Sequence, residues 1–313
     1  MRTFQYWKSN TLHIGRKGQK GLYRHNRASL IQNLWRRKMA CKVVAWKRKL
    51  IENTIVHGSC IEGMRHLPDA CADIVICDPP YNIGKDFGND SDKQEMNEYL
   101  HFCDLWIQEA LRILKPEGTL YIYGYSEILA HIHVQMEHSC HIRWLIWHYT
   151  NKNCPSAKFW GRSHESILCC SKVPRPRFNL DDVREPYTEG FVQGAAGKTR
   201  KATKGRFSKG DQETTYTAHP NGAMPRDVIK LPTLAGGGKE RVKGHPTQKP
   251  LALCNKLLKA ALNKAGETFV VVPFAGSGSE CVSAKQLGLR FLGFELNEDY
   301  ITLAHTRLEG SPT

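Results

Sequence analysis

The chain has 313 residues, 41% of them apolar, enough for a buried core in one large or two modest domains. Its net charge of +15 is concentrated at one end: residues 1–50 hold fourteen Lys and Arg and no carboxylate, so the other 263 carry 31 basic and 30 acidic side chains. No stretch approaches the ~18 apolar residues of a membrane span. Eleven cysteines, odd in number and without a Cys-x-x-Cys pair, argue for reduced thiols in a cytosol and against a disulfide framework or a zinc site.

Apolar runs bounded by breakers predict strands at 54–57, 73–77 and 119–123, with helices near 95–113 and 126–137. Further strands follow at 142–147 and 166–170. The stretch 176–244, rich in Gly, Thr, Lys and Pro, reads as an irregular insertion. Beyond it come a helix near 248–264, a strand at 269–272, a helix near 279–287, a strand at 291–294 and a helix near 297–307. This alternation implies a doubly wound α/β sheet.

Two motifs sit at strand ends. The run Ile74-Val75-Ile76-Cys77 leads into Asp78-Pro79-Pro80-Tyr81, where two prolines stiffen the turn and leave the Asp78 carboxylate and nearby carbonyls as fixed acceptors beside a ring. Phe269-Val270-Val271-Val272 leads into Pro273-Phe274-Ala275-Gly276-Ser277-Gly278-Ser279, then a helix and a strand ending at Glu295, nineteen residues after Gly276 (295 − 276). Glycines that let a cofactor approach the backbone, followed at this distance by an acid, suit a nucleoside whose ribose hydroxyls need an acceptor. Neither the full Gly-x-Gly-x-x-Gly triplet nor a Walker lysine is present, which disfavours nicotinamide and ATP.

With these motifs in this order, the chain resembles the β class of DNA amino methyltransferases over roughly residues 53–308. Further blocks carry the resemblance: Leu111 to Gly118, Ile142 to Trp147 with His164 to Leu168, His245-Pro246-Thr247-Gln248-Lys249-Pro250, and Asn297 to Ile301. It implies a Rossmann-like, circularly permuted methyltransferase fold: a mixed doubly wound sheet with one antiparallel hairpin strand and an inserted target-recognition region. It also implies S-adenosyl-L-methionine as cofactor, double-stranded DNA as partner and a cytoplasmic setting, with room for a cognate restriction endonuclease and a homodimer. The expected organisation is a basic, disordered extension (1–50), a catalytic half (51–175), a target-recognition region (176–244) and a cofactor-binding half (245–313).

The resemblance assigns catalysis to Asp78, Pro79, Pro80 and Tyr81, with the Asp78 carboxylate and Pro79 carbonyl holding an amino group and Tyr81 stacking on the base. It assigns Phe274, Gly276 and Gly278 to the turn around the cofactor's methionyl portion and Glu295 to its ribose, with Thr247 and Lys249 bordering the methionine carboxylate. His164-Glu165 reads as a structural pair at the start of a strand. Two positions depart from the family pattern: Val272 and Ser59 stand where acids are common. Asp before the prolines favours adenine N6 as target over cytosine N4. A non-catalytic DNA-binding subunit and an RNA methylase are the competing readings.

Lys198, Arg200, Lys201, Lys204 and Arg206 form an acid-free, glycine-containing cluster inside the recognition region, suited to DNA phosphates. Residues 1–50 read either as a phosphate-tracking arm or as sequence upstream of a start at Met39. A presequence is third, because Gly15, Gly18 and Gly21 interrupt any helix. Residues 1–38 are expected to be dispensable for methylation.

Overall fold

A computed structural model describes residues 52–311 apart from 85–92, 152–157, 202, 206–209 and 211–212. The basic extension and Arg206 lie outside the described residues. Among the described residues ten strands run in chain order: β1 (Thr54–His57), β2 (Ala72–Cys77), β3 (Leu114–Gly124), β4 (His141–Tyr149), β5 (His164–Ser171), β6 (Thr199–Lys201), β7 (Glu213–Thr215), β8 (Val228–Leu231), β9 (Phe269–Val272) and β10 (Arg290–Glu295). The helices are α1 (Cys60–Arg65), α2 (Met96–Ile113), α3 (Ser126–Met136), α4 (Glu189–Gly194), α5 (Leu251–Ala261), α6 (Ser279–Gln286) and α7 (Glu298–Glu309).

Eight strands form one sheet in the order β1-β10-β9-β2-β3-β5-β4-β8. All neighbours pair in parallel except β5, which runs against both β3 and β4. This is the mixed sheet with one reversed hairpin strand that the resemblance implies. The central strands are apolar on both faces because both faces are covered: every residue of β2 and β9 is buried. Asp73, buried in β2, is matched by Lys115 Nζ at 2.7 Å and by the Phe269 N–H at 3.0 Å, which ties β2 to its neighbour β9.

From β2 the chain crosses to β3 on one side, and from β9 it crosses to β10 on the other, so the strand order reverses between two adjacent strands. A crevice at the carboxyl ends of β2 and β9 is the expected ligand position for such a sheet. Because β5 is reversed, its first residues share that edge with the last residues of its neighbours. Helix α2 buries Tyr99, Cys103, Trp106, Ile107, Ala110 and Ile113 along one face, and the Glu95 side chain caps its start by accepting from the Asn97 and Glu98 N–H groups.

Some boundaries differ from the sequence expectation. β3 begins at Leu114 rather than at 119 and carries a register shift before Thr119, so the Pro116-Glu117-Gly118 stretch is absorbed as an irregularity within the strand. The insertion is not wholly irregular: β8 adds an edge strand beside β4, and β6 and β7 pair as a separate two-stranded ribbon. Among the described residues no helix is long and apolar enough to cross a membrane.

Candidate active site

One cavity opens at the carboxyl edge of the sheet. It is lined by Asp78, Pro79, Pro80 and Tyr81 after β2, Phe274 and Gly276 after β9, Glu295 at the tip of β10, and Thr247 and Lys249 before α5. Residues more than 170 positions apart in sequence thus meet because β2 and β9 are neighbours. Gly278 does not line the cavity. It takes φ +77° at the start of α6, and a Cβ there would lie 2.8 Å from the Ala304 Cβ, so its role is close packing against α7.

At the Asp78 end the polar groups form a closed cluster. The Lys249 Nζ lies 2.8 Å from Asp78 Oδ1 and 2.9 Å from Oδ2, 3.2 Å from Glu165 Oε2 and 3.1 Å from the Tyr81 hydroxyl. That hydroxyl is 2.7 Å from Asp78 Oδ1 and 3.1 Å from Glu165 Oε2, and Tyr149 donates to Glu165 Oε1 at 2.6 Å. The Tyr99 hydroxyl fixes the turn by donating to the Pro80 carbonyl at 2.7 Å. The Tyr81 ring meets Tyr125 edge-on at 5.2 Å, and Arg162 stacks over Tyr125 at 4.2 Å.

Lys249 is 4% exposed, so its charge survives only because two carboxylates surround it. Burial would lower its pKa, but Asp78 and Glu165 hold it above the usual lysine value. Burial lifts the Asp78 carboxyl above its usual range, opposed by Lys249 and reinforced by Glu165. Burial also acts to raise Glu165, yet Lys249 and the hydrogen bonds from Tyr149 and Tyr81 outweigh it and hold that carboxyl below the usual range. Two carboxylates against one ammonium leave the cluster negative, an environment that favours a cationic ligand.

At the other end, the Gly276 N–H donates to Glu295 Oε2 at 2.7 Å, and the N–H groups of Leu296 and Asn297 each donate to Oε1 at 2.9 Å. The carboxylate is thereby oriented by three backbone donors. Gly276 adopts φ +49°, and a Cβ there would approach His245 Nε2 to 2.8 Å. The Phe274 ring is held edge-on by Trp106 at 5.4 Å and Phe102 at 6.3 Å. A cradle only glycine fits, an oriented acid and an aromatic wall suit a nucleoside, and the negative cluster beyond suits a sulfonium, so the residues present fit S-adenosylmethionine.

Val272, where the resemblance leads one to expect an acid, is fully buried. The cavity has an acid from another position, Glu280 in the first turn of α6, 3% exposed and in contact with the Cys254 thiol. Burial, with the nearby Asp78 charge adding, pushes its carboxyl up to about 7. Cys60 also lines the wall, but burial raises its thiol to about 12, which leaves it without nucleophilic thiolate.

Glu165, Tyr149 and Glu280 are not legible in the sequence as site residues. Glu165 corrects the expectation of a purely structural pair at a strand start: its carboxylate faces Lys249 and Tyr81. The available signal is the hairpin itself, since reversing β5 brings its first residues to the edge where Asp78 lies.

The cation cluster is placed apart from the cavity lining. Arg200 and Lys201 lie on β6, with Lys198 before and Lys204 after it, all exposed. Thr199 and Thr215 hydroxyls bond across the ribbon at 2.7 Å, Lys201 pairs in register with Glu213, and Arg200 donates to the Gly194 carbonyl at 2.7 Å.

Comparison with known proteins agrees with this geometry. A family model described as DNA methylase, of the N6/N4 type, matches residues 72–306. The chain is 30% identical over 265 residues to Type II methyltransferase M.HpaI of Haemophilus parainfluenzae, covering 83% of this chain and 75% of that one. It is 28% identical over 258 residues to the DNA adenine methyltransferase YhdJ of Escherichia coli K12, covering 82% of each. Among solved structures, PvuII DNA methyltransferase (cytosine-N4-specific) superposes with a TM-score of 0.59 at 14% identity, over 81% of this chain and 85% of that one. M1.HpyAVI, solved with SAM, superposes with a TM-score of 0.54 at 21% identity, over 82% of this chain and 98% of that one. With three quarters of its length inside the family model and the two defining motifs meeting in one cavity, this chain belongs to the N6/N4 family of DNA methylases.

Proposed function

We propose that this DNA methylase transfers a methyl group to the exocyclic N6 of an adenine extruded from double-stranded DNA. The observation that carries the reading is the Asp78 carboxylate in one cavity with the Gly276–Glu295 turn. Adenine is favoured over cytosine by the Asp before the two prolines and by the likeness to YhdJ, itself named a DNA adenine methyltransferase.

S-adenosyl-L-methionine supplies, when bound, an electrophilic methyl on a sulfonium sulfur that leaves as a neutral thioether. Glu295 would accept from its ribose hydroxyls, Gly276 would allow close approach, and Phe274 and Thr247 would border its methionine portion. Asp78 and the Pro79 carbonyl accept from the amino N–H groups, which draws the nitrogen lone pair out of conjugation and aims it at the methyl. Tyr81 supplies a wall for the base. As the new N–C bond forms, the nitrogen sheds one proton, and the raised proton affinity of Asp78 suits it to receive that proton. Most of the acceleration then comes from positioning and fixed dipoles. Extruding the nucleotide costs a few kcal/mol, offset by contacts in the pocket.

Residues 176–244 form the target-recognition region in this reading, with the β6–β7 ribbon cations neutralising phosphates. A cognate endonuclease is the partner class that a restriction-modification role entails. Methylation-sensitive sequencing of DNA from cells expressing the chain, with Asp78→Ala as control, tests the assignment. N6-methyladenine in one sequence context, absent from the control, is the expected result; N4-methylcytosine would move the target to the other amino base, and unmodified DNA would refute the reading.

A further inference from the structure

The Asp78 carboxylate is already occupied at Oδ1 and half-occupied at Oδ2. Oδ1 accepts from the Tyr81 hydroxyl at 2.7 Å and Lys249 at 2.8 Å, and Oδ2 from Lys249 at 2.9 Å. Oδ1 has both acceptor sites filled, so an amino group docking there displaces a donor, and one using the remaining site on Oδ2 sits beside the Lys249 ammonium. Lys249 is the donor whose departure matters most, because an ammonium beside a nitrogen that is acquiring positive charge opposes the reaction. It is also buried, at 4% exposure, so it cannot retreat into water. A buried ammonium leaves one carboxylate only for another.

Glu165 is that other carboxylate. Its Oε2 lies 3.2 Å from Lys249 Nζ, 0.4 Å farther than the nearest Asp78 oxygen. Its second oxygen is held by Tyr149 at 2.6 Å, so the acceptor stays in place while Lys249 moves. The Tyr81 hydroxyl, 2.7 Å from Asp78 and 3.1 Å from Glu165, can turn its proton the same way.

We propose that Glu165 is a positioning residue that takes the Lys249 ammonium when the target base's amino group docks on Asp78. The handover frees an Asp78 oxygen for the amino N–H, moves positive charge away from the reacting nitrogen, and leaves Asp78 a stronger hydrogen-bond and proton acceptor. No bond to carbon forms or breaks in it. The inference rests on the methyl-transfer reading of the same cavity and concerns either amino base, so the identity of the base and the handover fail separately.

The test compares the wild type with Glu165→Gln and Glu165→Asp on two duplexes carrying the recognition sequence found by sequencing, one with the intact target base and one abasic at that position. With cofactor saturating in both cases, Glu165→Gln is expected to weaken binding of the intact duplex by about tenfold, the scale of one charge-assisted hydrogen bond, while leaving abasic-duplex affinity at the wild-type value. Glu165→Asp, which keeps the charge on a shorter stem, recovers part of the loss and of the single-turnover rate. A merely structural Glu165 would weaken both duplexes alike. That outcome, or unchanged affinity for the intact duplex, overturns the proposal. A wild type that methylates cytosine moves the comparison to a cytosine target, where the same loss is expected; one that methylates no DNA overturns the functional reading and the handover together.

Discussion

The Gly276 N–H and the Glu295 carboxylate meet at 2.7 Å, joining the turn after β9 to the tip of β10 across nineteen residues of sequence. Glu295 also accepts from Leu296 and Asn297, so its orientation is set before any ligand arrives. Glu295→Ala should raise the cofactor dissociation constant by roughly 10- to 100-fold, the range of ~1.5–3 kcal/mol for a hydrogen bond to a charged group. Glu295→Gln, with one acceptor oxygen for the same donors, should fall between. Calorimetric titration with S-adenosylmethionine reads both, and unchanged affinity in the alanine variant would remove Glu295 from the cofactor site.

The two glycines of the turn should separate by function. Gly278→Ala forces φ +77° on a residue with a Cβ and pushes that Cβ to 2.8 Å from Ala304, so it should lose ~1–3 kcal/mol of stability. Its folded fraction should bind cofactor normally. Gly276→Ala is strained at φ +49° and also fills the cavity beside His245, so it should lose stability and cofactor affinity together. Urea melts paired with calorimetry distinguish them, and equal affinity losses would place both glycines against the ligand.

Much of this architecture is legible in the sequence for a physical reason. Strands buried on both faces must be apolar throughout, so β2 and β9 stand out as short runs ended by Asp78 and by Pro273. Order along the chain then places both ends in one crevice. β8 escapes because a four-residue edge strand with only Ile229 buried carries too little periodicity. Glu165 escapes because its role depends on a pairing direction, and Glu280 because an acid in the first helical turn ordinarily faces water. Gly278 reads as a cofactor residue in the sequence because spacing alone cannot tell a glycine that admits a ligand from one that admits a neighbouring helix.

Asp78→Asn should abolish most methyl transfer while lowering cofactor affinity far less, because Lys249 retains Glu165, the Gly276–Glu295 turn is untouched and only one charge near the sulfonium is lost. Loss of a preorganised acceptor for developing charge is worth ~10²–10³ in rate. Single-turnover transfer of labelled methyl to DNA provides the measurement. Retention of more than a tenth of the wild-type rate, only ~1.4 kcal/mol of barrier, would displace Asp78 from its role.

Glu280 should make the protein less stable as pH rises. Its carboxyl is pushed up to about 7 in the folded chain, by burial first and Asp78 next, against 4.5 ordinarily. Between those values the folded state holds a proton that the unfolded state has released, so stability declines with rising pH until the folded group ionises. Glu280→Gln lacks this ionisation. Its stability relative to wild type should therefore improve by roughly 3 kcal/mol from about pH 4.5 to pH 8, at ~1.36 kcal/mol per pH unit between the two pKa values. Urea melts across that range test it, and parallel pH dependences would show that Glu280 ionises normally.

The ribbon cations should contribute unequally to DNA binding. Arg200 donates a hydrogen bond to the Gly194 carbonyl at the end of α4, which engages part of its donor capacity, and Lys201 sits in register with Glu213, an opposite charge on the neighbouring strand. Lys198 and Lys204 flank the strand and are exposed. Removing one cation from a DNA phosphate should flatten the plot of log affinity against log salt by ~0.9. The double variant Lys198→Ala with Lys204→Ala should therefore flatten it by up to ~1.8 and exceed the pair Arg200→Ala with Lys201→Ala. Titration of labelled duplex at several salt concentrations provides the slopes. Wild-type slopes in both pairs would make the ribbon a solvated loop, and a larger effect from the Arg200 and Lys201 pair would mean that binding breaks the Arg200 bond to Gly194.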